Sequence, residues 1–205
     1  RELIELEDQL EVPEIERTSQ RVGGKILDGF SKTIHQIPQW SYDNVFGYDE
    51  LVRWDERNRK ILEKAGNKKA RTGWHYACEL KIDGLKIILT YQSGNLVMGA
   101  TGDGTVGEDI TENIRMIKSI PQKISDTRDV VVIGEVWMKK TDLEKINKDR
   151  AEENLPLYAN PRNLAAGTLR QLDTNIVASR DLQVFCYDLT VIGDDEAFLT
   201  HTDEL

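Results

Sequence analysis

Glu79-Leu80-Lys81-Ile82-Asp83-Gly84 lies within a β-prone run from His75 to Tyr91, and its reading decides the fold. On an extended strand alternate side chains point to opposite faces. That alternation predicts one face shared by Glu79, Lys81 and Asp83, with Leu80 and Ile82 turned into apolar packing, where Leu85 joins them once the chain has turned at Gly84. Three ionisable groups on one face of a mid-chain strand are costly to bury without a purpose. A lysine between two carboxylates carries its proton at rest, and as a nucleophile it must shed that proton when substrate arrives. Gly84 lets the backbone turn sharply and leaves room for a ligand close by. The plainer reading of the same residues is a surface strand with a stabilising lysine–carboxylate cluster.

The flanking sequence alternates β-like and helical segments. Residues 75–82 and 85–91 are apolar and β-rich, Gln92-Ser93-Gly94-Asn95 supplies turn chemistry, and residues 96–101 return as a further strand. Residues 129–138 and 182–192 are also β-prone. Helices are expected over 48–65, with Gly66 as C-cap, over 109–118, over 141–153 and over 163–172. In the third of these, Thr141 is the expected N-cap, with Leu143, Ile146 and Asn147 inward. Residues 1–16 carry a rough apolar stripe, 18–30 form a glycine-punctuated connection, and 35–46 read as an extended aromatic segment. Strands joined by both hairpins and helices predict an α+β fold with mixed, mainly antiparallel sheets and peripheral helices.

A chain of 205 residues can bury one good core. Its charged fraction of 31% describes a soluble protein, no apolar run approaches the roughly 18 residues of a bilayer span, and no signal-peptide pattern opens it. These features predict a cytoplasmic location and no membrane partner; a monomer is expected, although nothing in the composition encodes it. Cys78 and Cys186 lie in no metal-ligand spacing, which argues for reduced thiols and against zinc ligands in this chain. A net charge of −9 argues against a broad DNA-wrapping surface but leaves room for a local basic site.

Gly102-Asp103-Gly104-Thr105-Val106-Gly107 matches G-x-G-x-x-G literally. The dinucleotide fingerprint requires a strand and a helix inside a parallel βαβ unit. Here the preceding strand arrives through a hairpin and Pro121 ends the next helix, so the pattern reads as a flexible loop near a phosphate or as a plain structural loop.

Lys81-Ile82-Asp83-Gly84 resembles the lysine motif of DNA ligases, RNA ligases and capping enzymes, and other stretches narrow the resemblance. Thr18-Ser19-Gln20-Arg21-Val22-Gly23, Pro38-Gln39-Trp40-Ser41-Tyr42-Asp43-Asn44, the stretch from Ala100 to Asp109, Gly134-Glu135-Val136 and above all Ala159-Asn160-Pro161-Arg162-Asn163-Leu164-Ala165-Ala166-Gly167-Thr168-Leu169-Arg170-Gln171-Leu172-Asp173 occur in order. Together they resemble the adenylation domain of bacterial NAD-dependent DNA ligases over effectively the whole chain. The resemblance implies a nucleotidyltransferase fold, with residues 1–17 the tail of a helical subdomain and 18–205 an adenylation domain truncated at its C-terminus. It implies that Lys81 attacks the α-phosphate of NAD to form a lysyl-AMP, which passes to the 5′-phosphate of nicked double-stranded DNA before the 3′-hydroxyl seals the nick. Work in DNA replication and repair follows from that activity. By the same resemblance Asp83 orients Lys81 or helps place Mg²⁺, and Glu79 contacts adenine. Glu135 contacts ribose or metal, Ser41 and Tyr42 touch the nucleotide, and Arg162 and Arg170 contact DNA phosphate.

The sequence departs from the family at Thr101-Gly102, where the family carries an intervening arginine that contacts nucleotide or phosphate. Tyr42 stands where leucine is usual, and two further lysine-bearing motifs are expected beyond Leu205. A catalytically inactive nucleotide- or DNA-binding relative is the alternative of a different class. An ATP-dependent ligase or capping enzyme shares Lys-x-Asp-Gly without the long signature from Asn160 to Asp173.

Overall fold

The description rests on a computed structural model of the chain. It covers residues 5–6, 9–10, 27–41, 44–66, 75–102, 104–194, 197–198 and 200–204. The elements are β1 (Lys32–Gln39), α1 (Tyr48–Lys64), β2 (Leu85–Gln92), β3 (Asn95–Thr101), β4 (Gly104–Asp109), α2 (Thr111–Arg115), β5 (Val130–Trp137), α3 (Lys140–Glu152), α4 (Pro161–Leu169), α5 (Thr174–Ala178), β6 (Gln183–Val191) and α6 (His201–Glu204).

The run Leu-Lys-Ile-Ile-Leu-Thr-Tyr-Gln of β2 makes an inner strand because both of its faces are covered: residues 87–91 are all buried. Its hairpin to β3 turns on Ser93 and Gly94, at φ 48° and 80°. Two successive positive-φ residues suit a two-residue turn whose twist matches the strands. The six strands run β1-β4-β3-β2-β5-β6, and every pairing is antiparallel. This bears out the α+β expectation and removes the parallel βαβ unit that a dinucleotide fingerprint needs.

One face of the sheet carries the main core. Ile87, Leu89 and Tyr91 of β2 and Val130 and Val136 of β5 pack with Ile114, Leu164, Leu169 and Val177 from the helical side. Each such buried aliphatic side chain stabilises the fold by about 1.5–3 kcal/mol relative to exposure. The opposite face carries a smaller cluster, Ile88, Val131 and Ile133, flanked by Ile37 and Tyr187.

The contacts divide the chain into two compact units, residues 1–39 with 81–205 and residues 40–80. Within the second, Trp54 and Tyr76 stack at 5.3 Å between ring centroids, and the Tyr76 hydroxyl donates to Asp55. No residue of α1 is buried. Its expected extent over 48–65 holds to within a residue, and Gly66 follows the helix at φ 73°, as a C-terminal glycine should.

Several expectations are corrected. Residues 75–83 form no regular secondary structure, so the strand expected over 75–82 is absent and with it the shared face of Glu79, Lys81 and Asp83. The ladder between β2 and β5 begins only at Leu85 opposite Val136, and the Gly84 N–H goes instead to a side chain. The glycine loop is partly strand: Gly102 and Gly104, at φ 109° and 75°, reverse the chain into β4. Asp109 ends β4 rather than opening a helix. Its carboxylate accepts from the Thr111 N–H at 3.0 Å and hydroxyl at 2.6 Å, which delays and shortens α2. Thr141 is not an N-cap; α3 starts at Lys140 after Lys139, which gives no side-chain cap. The inward place of Asn147 holds: its amide donates to Tyr158 O at 3.0 Å and its carbonyl accepts from Tyr158 N at 2.8 Å. The extended segment 35–46 is strand only to Gln39. Of the expected N-terminal helix most residues lie outside those described, as does most of the 18–30 connection; Leu10 N donates to Leu6 O at 3.0 Å. Among the described residues no helix is long and apolar enough to cross a membrane.

Candidate active site

Gly84 stands where the irregular segment carrying Lys81 and Asp83 meets β2. A Cβ built on it would lie 2.1 Å from the carbonyl oxygen of Val136. Only glycine allows so close an approach of two backbones. That approach lets the Gly84 N–H donate to Glu135 Oε1 at 3.2 Å. The two motif segments, 51 residues apart in sequence, are thus tied by a backbone donor rather than by side chains alone.

Glu135 projects from β5, half-buried. Its burial raises the carboxyl above the usual carboxylate range. The Gly84 N–H, Lys81 and Arg162 oppose that rise, while Asp83 adds to it. Lys81, Asp83, Glu135 and Arg162 therefore form one cluster of interacting charges at the start of β2. Lys81 and Asp83 are both exposed. Asp83 Oδ1 accepts from Arg162 Nη1 at 2.6 Å, across 79 residues of sequence.

The long signature explains how Arg162 reaches that place. Asn160 caps α4, its side chain accepting from Asn163 N at 2.7 Å, and Pro161 occupies the first turn. Both suit a helix start, the asparagine by satisfying an orphan N–H and the proline by its fixed φ. Leu164, Ala165, Thr168 and Leu169 bury the inner side of the helix. Asp173 then caps α5, accepting from Asn175 N at 2.9 Å.

Arg170, the C-cap of α4, is held away from Arg162. Eight residues of helix separate the two by about 12 Å along the axis. Its Nε donates to Glu108 Oε2 on β4 at 3.1 Å. Asn113, fully buried on α2, donates from one amide nitrogen to Leu169 O at 2.7 Å and Gln171 O at 2.9 Å, bracketing Arg170. The sequence reading gave no role to Glu108 or Asn113. The only signal for them was their place in or just after the stretch from Ala100 to Asp109.

Of the other residues singled out from the sequence, Ser41 and Glu79 are exposed members of the 40–80 unit, and Tyr42 lies outside the described residues. Among the described residues no group of three or more His, Cys, Asp or Glu is gathered for a metal ion. Two carboxylates at the site, Asp83 and Glu135, still suit Mg²⁺, which is commonly bound through one or two carboxylates with substrate phosphates and water completing its shell.

The sequence matches the family described as "NAD-dependent DNA ligase adenylation domain" over residues 27–205. Three similar curated proteins are named DNA ligase. That of Caldicellulosiruptor saccharolyticus is 47% identical over 193 residues, covering 92% of this chain and 27% of the relative. That of Listeria monocytogenes serotype 4a is 48% identical over 180 residues, covering 87% and 26%. That of Thermotoga neapolitana is 44% identical over 191 residues, covering 91% and 26%. The chain thus spans about a quarter of the length of these relatives. With 179 residues matched and an antiparallel sheet that brings the lysine motif against Glu135, the chain belongs to the NAD-dependent DNA ligase adenylation domain family.

Proposed function

We propose that this chain carries the nucleotide-transfer centre of an NAD-dependent DNA ligase and that Lys81 is the residue adenylated. The observation that supports this most is the charge cluster at the start of β2, where an exposed lysine lies within the field of Asp83, Glu135 and Arg162. Lys81 Nζ, once it has shed the proton it carries at rest, attacks the α-phosphorus of NAD; a phosphorus–nitrogen bond forms, the bond to the nicotinamide mononucleotide oxygen breaks, and Nζ gives up a second proton. AMP then passes to the 5′-phosphate of nicked duplex DNA and is displaced by the 3′-hydroxyl. Phosphoryl transfer of this kind depends on positioning and on neutralising charge.

Asp83 is the residue that orients Lys81, and its pairing with Arg162 fixes the direction of the carboxylate. Glu135, fixed by the Gly84 N–H, is read as a ribose or metal contact. Mg²⁺ held by Asp83 and Glu135 would supply charge neutralisation at the reacting phosphates. Ser41, Tyr42 and Glu79 are read as nucleotide contacts, and Arg162 and Arg170 as contacts to DNA phosphate. The domain division at residues 17/18 and work in the cytoplasm as a monomer belong to the same reading.

Incubation with NAD and Mg²⁺, followed by intact-mass measurement, is the test. The expected result is a gain of one AMP that ATP does not support and that Lys81→Ala abolishes. An adduct that survives Lys81→Ala would overturn the assignment of the lysine, and an adduct formed from ATP alone would overturn NAD as donor.

A further inference from the structure

Arg170 is held at both ends. Asn113 fixes its backbone through the carbonyls on either side, and Glu108 fixes its guanidinium through Nε. Both holding residues come from one short segment, residues 108–113, whose own place is fixed. Glu108 is paired in register with Lys32 of β1 and Thr101 of β3. Next to it, a Cβ on Gly107 would lie 1.6 Å from Thr101 O, so β4 sits as close to β3 as a backbone can. The Glu108–Arg170 pair itself is about half exposed on each side. Exposed pairs contribute roughly 0–1 kcal/mol to stability and cost side-chain entropy to hold. The effect left to such a pair is orientation. With Nε engaged, the two Nη nitrogens face no described partner, and a guanidinium presents them as a planar pair of donors that matches phosphate oxygens.

We propose that Glu108 is a positioning residue: with Asn113 clamping the backbone, it holds Arg170 by Nε and leaves the Nη edge for an oxygen of DNA phosphate. This rests on the reading of Arg170 as a phosphate contact. The sign of one substitution separates it from simple charge. Removing a carboxylate from beside a DNA phosphate strengthens binding by electrostatics alone. Loss of positioning weakens it.

The test is binding of a nicked, 5′-phosphorylated duplex to the chain at low salt, read by fluorescence anisotropy. Glu108→Ala is expected to raise Kd roughly fivefold with the circular-dichroism melting temperature unchanged to within about 2 °C, and to change Kd less than about 1.5-fold in an Arg170→Ala background. Glu108→Gln, which keeps an acceptor without the charge, is expected to fall between Glu and Ala, and it carries the test if the alanine variant does not fold. Binding that is unchanged or tighter in these variants, or an equal loss in the Arg170→Ala background, overturns the inference while leaving Arg170 as a phosphate contact. A chain that does not bind the duplex, or binding indifferent to Arg170→Ala, overturns the phosphate reading instead.

Discussion

At the scale of single residues, Gly84 and Glu135 set the geometry where the lysine motif meets β2 and β5. A methyl group at Gly84 would press on the Val136 carbonyl, which belongs to an inner strand and cannot yield. Gly84→Ala is expected to cost about 3 kcal/mol in urea unfolding, the upper range for overpacking, and to loosen the tie to Glu135. Glu135 works in the opposite sense. Because its carboxyl is raised in the folded chain, the protonated form is the one that folding favours. Folding stability then falls as pH climbs from the unfolded glutamate pKa through the higher folded one, and the deficit stays in place above that window. Glu135→Gln, which keeps an acceptor for the Gly84 N–H, should raise the melting temperature at pH 7 by roughly 1–2 °C, and the gain should shrink as pH falls through the window in which the wild-type carboxyl takes up its proton. A glutamine variant that melts below wild type at pH 7 would show that the carboxylate is net stabilising.

At the scale of elements, α4 combines a capped start, a buried inner side and an exposed glycine near its end. Gly167 has nothing within 4 Å of where a Cβ would stand. Gly167→Ala should therefore stabilise the chain by about 0.5–1 kcal/mol in urea melts through helix propensity alone. If the same variant lost affinity for nicked duplex, the open space would be the room a phosphate backbone needs. Sequence and structure agree where a period is strong. The β-branched run of β5 and the continuous apolar run of β2 announce themselves, and so does α1. They part where the outcome rests on a distant partner. Residues 75–82 have strand composition, yet β5 offers them no ladder past Val136. The reverse holds at β4, where Gly-Thr-Val-Gly has loop composition but is recruited by β1. The site follows the same division. Lys81, Asp83 and Glu135 could be chosen from motif order, whereas the Asp83–Arg162 pair spans 79 residues and no local pattern encodes it.

At the scale of the whole molecule, burial is uneven between the two units. The core lies in residues 87–191, and α1 in the 40–80 unit buries none of its residues. Amide hydrogen exchange should therefore be fastest through α1 and slowest through β2 and β5, with protection in the strands approaching that of global unfolding. Equal protection in α1 and β2 would contradict this distribution. The bracket that Asn113 places around Arg170 has a consequence for recombination between relatives. Residues 108–113 and 159–173 meet through the carbonyl oxygens of Leu169 and Gln171, which every amino acid supplies, and through the Glu108–Arg170 pair, so the long signature should transplant between relatives wherever Glu108 and Asn113 are both kept. The asparagine is the part with no substitute, because one amide nitrogen must reach two carbonyls two residues apart. A chimaera that imports the signature into a chain lacking Asn113 inherits the arginine without the direction in which it points.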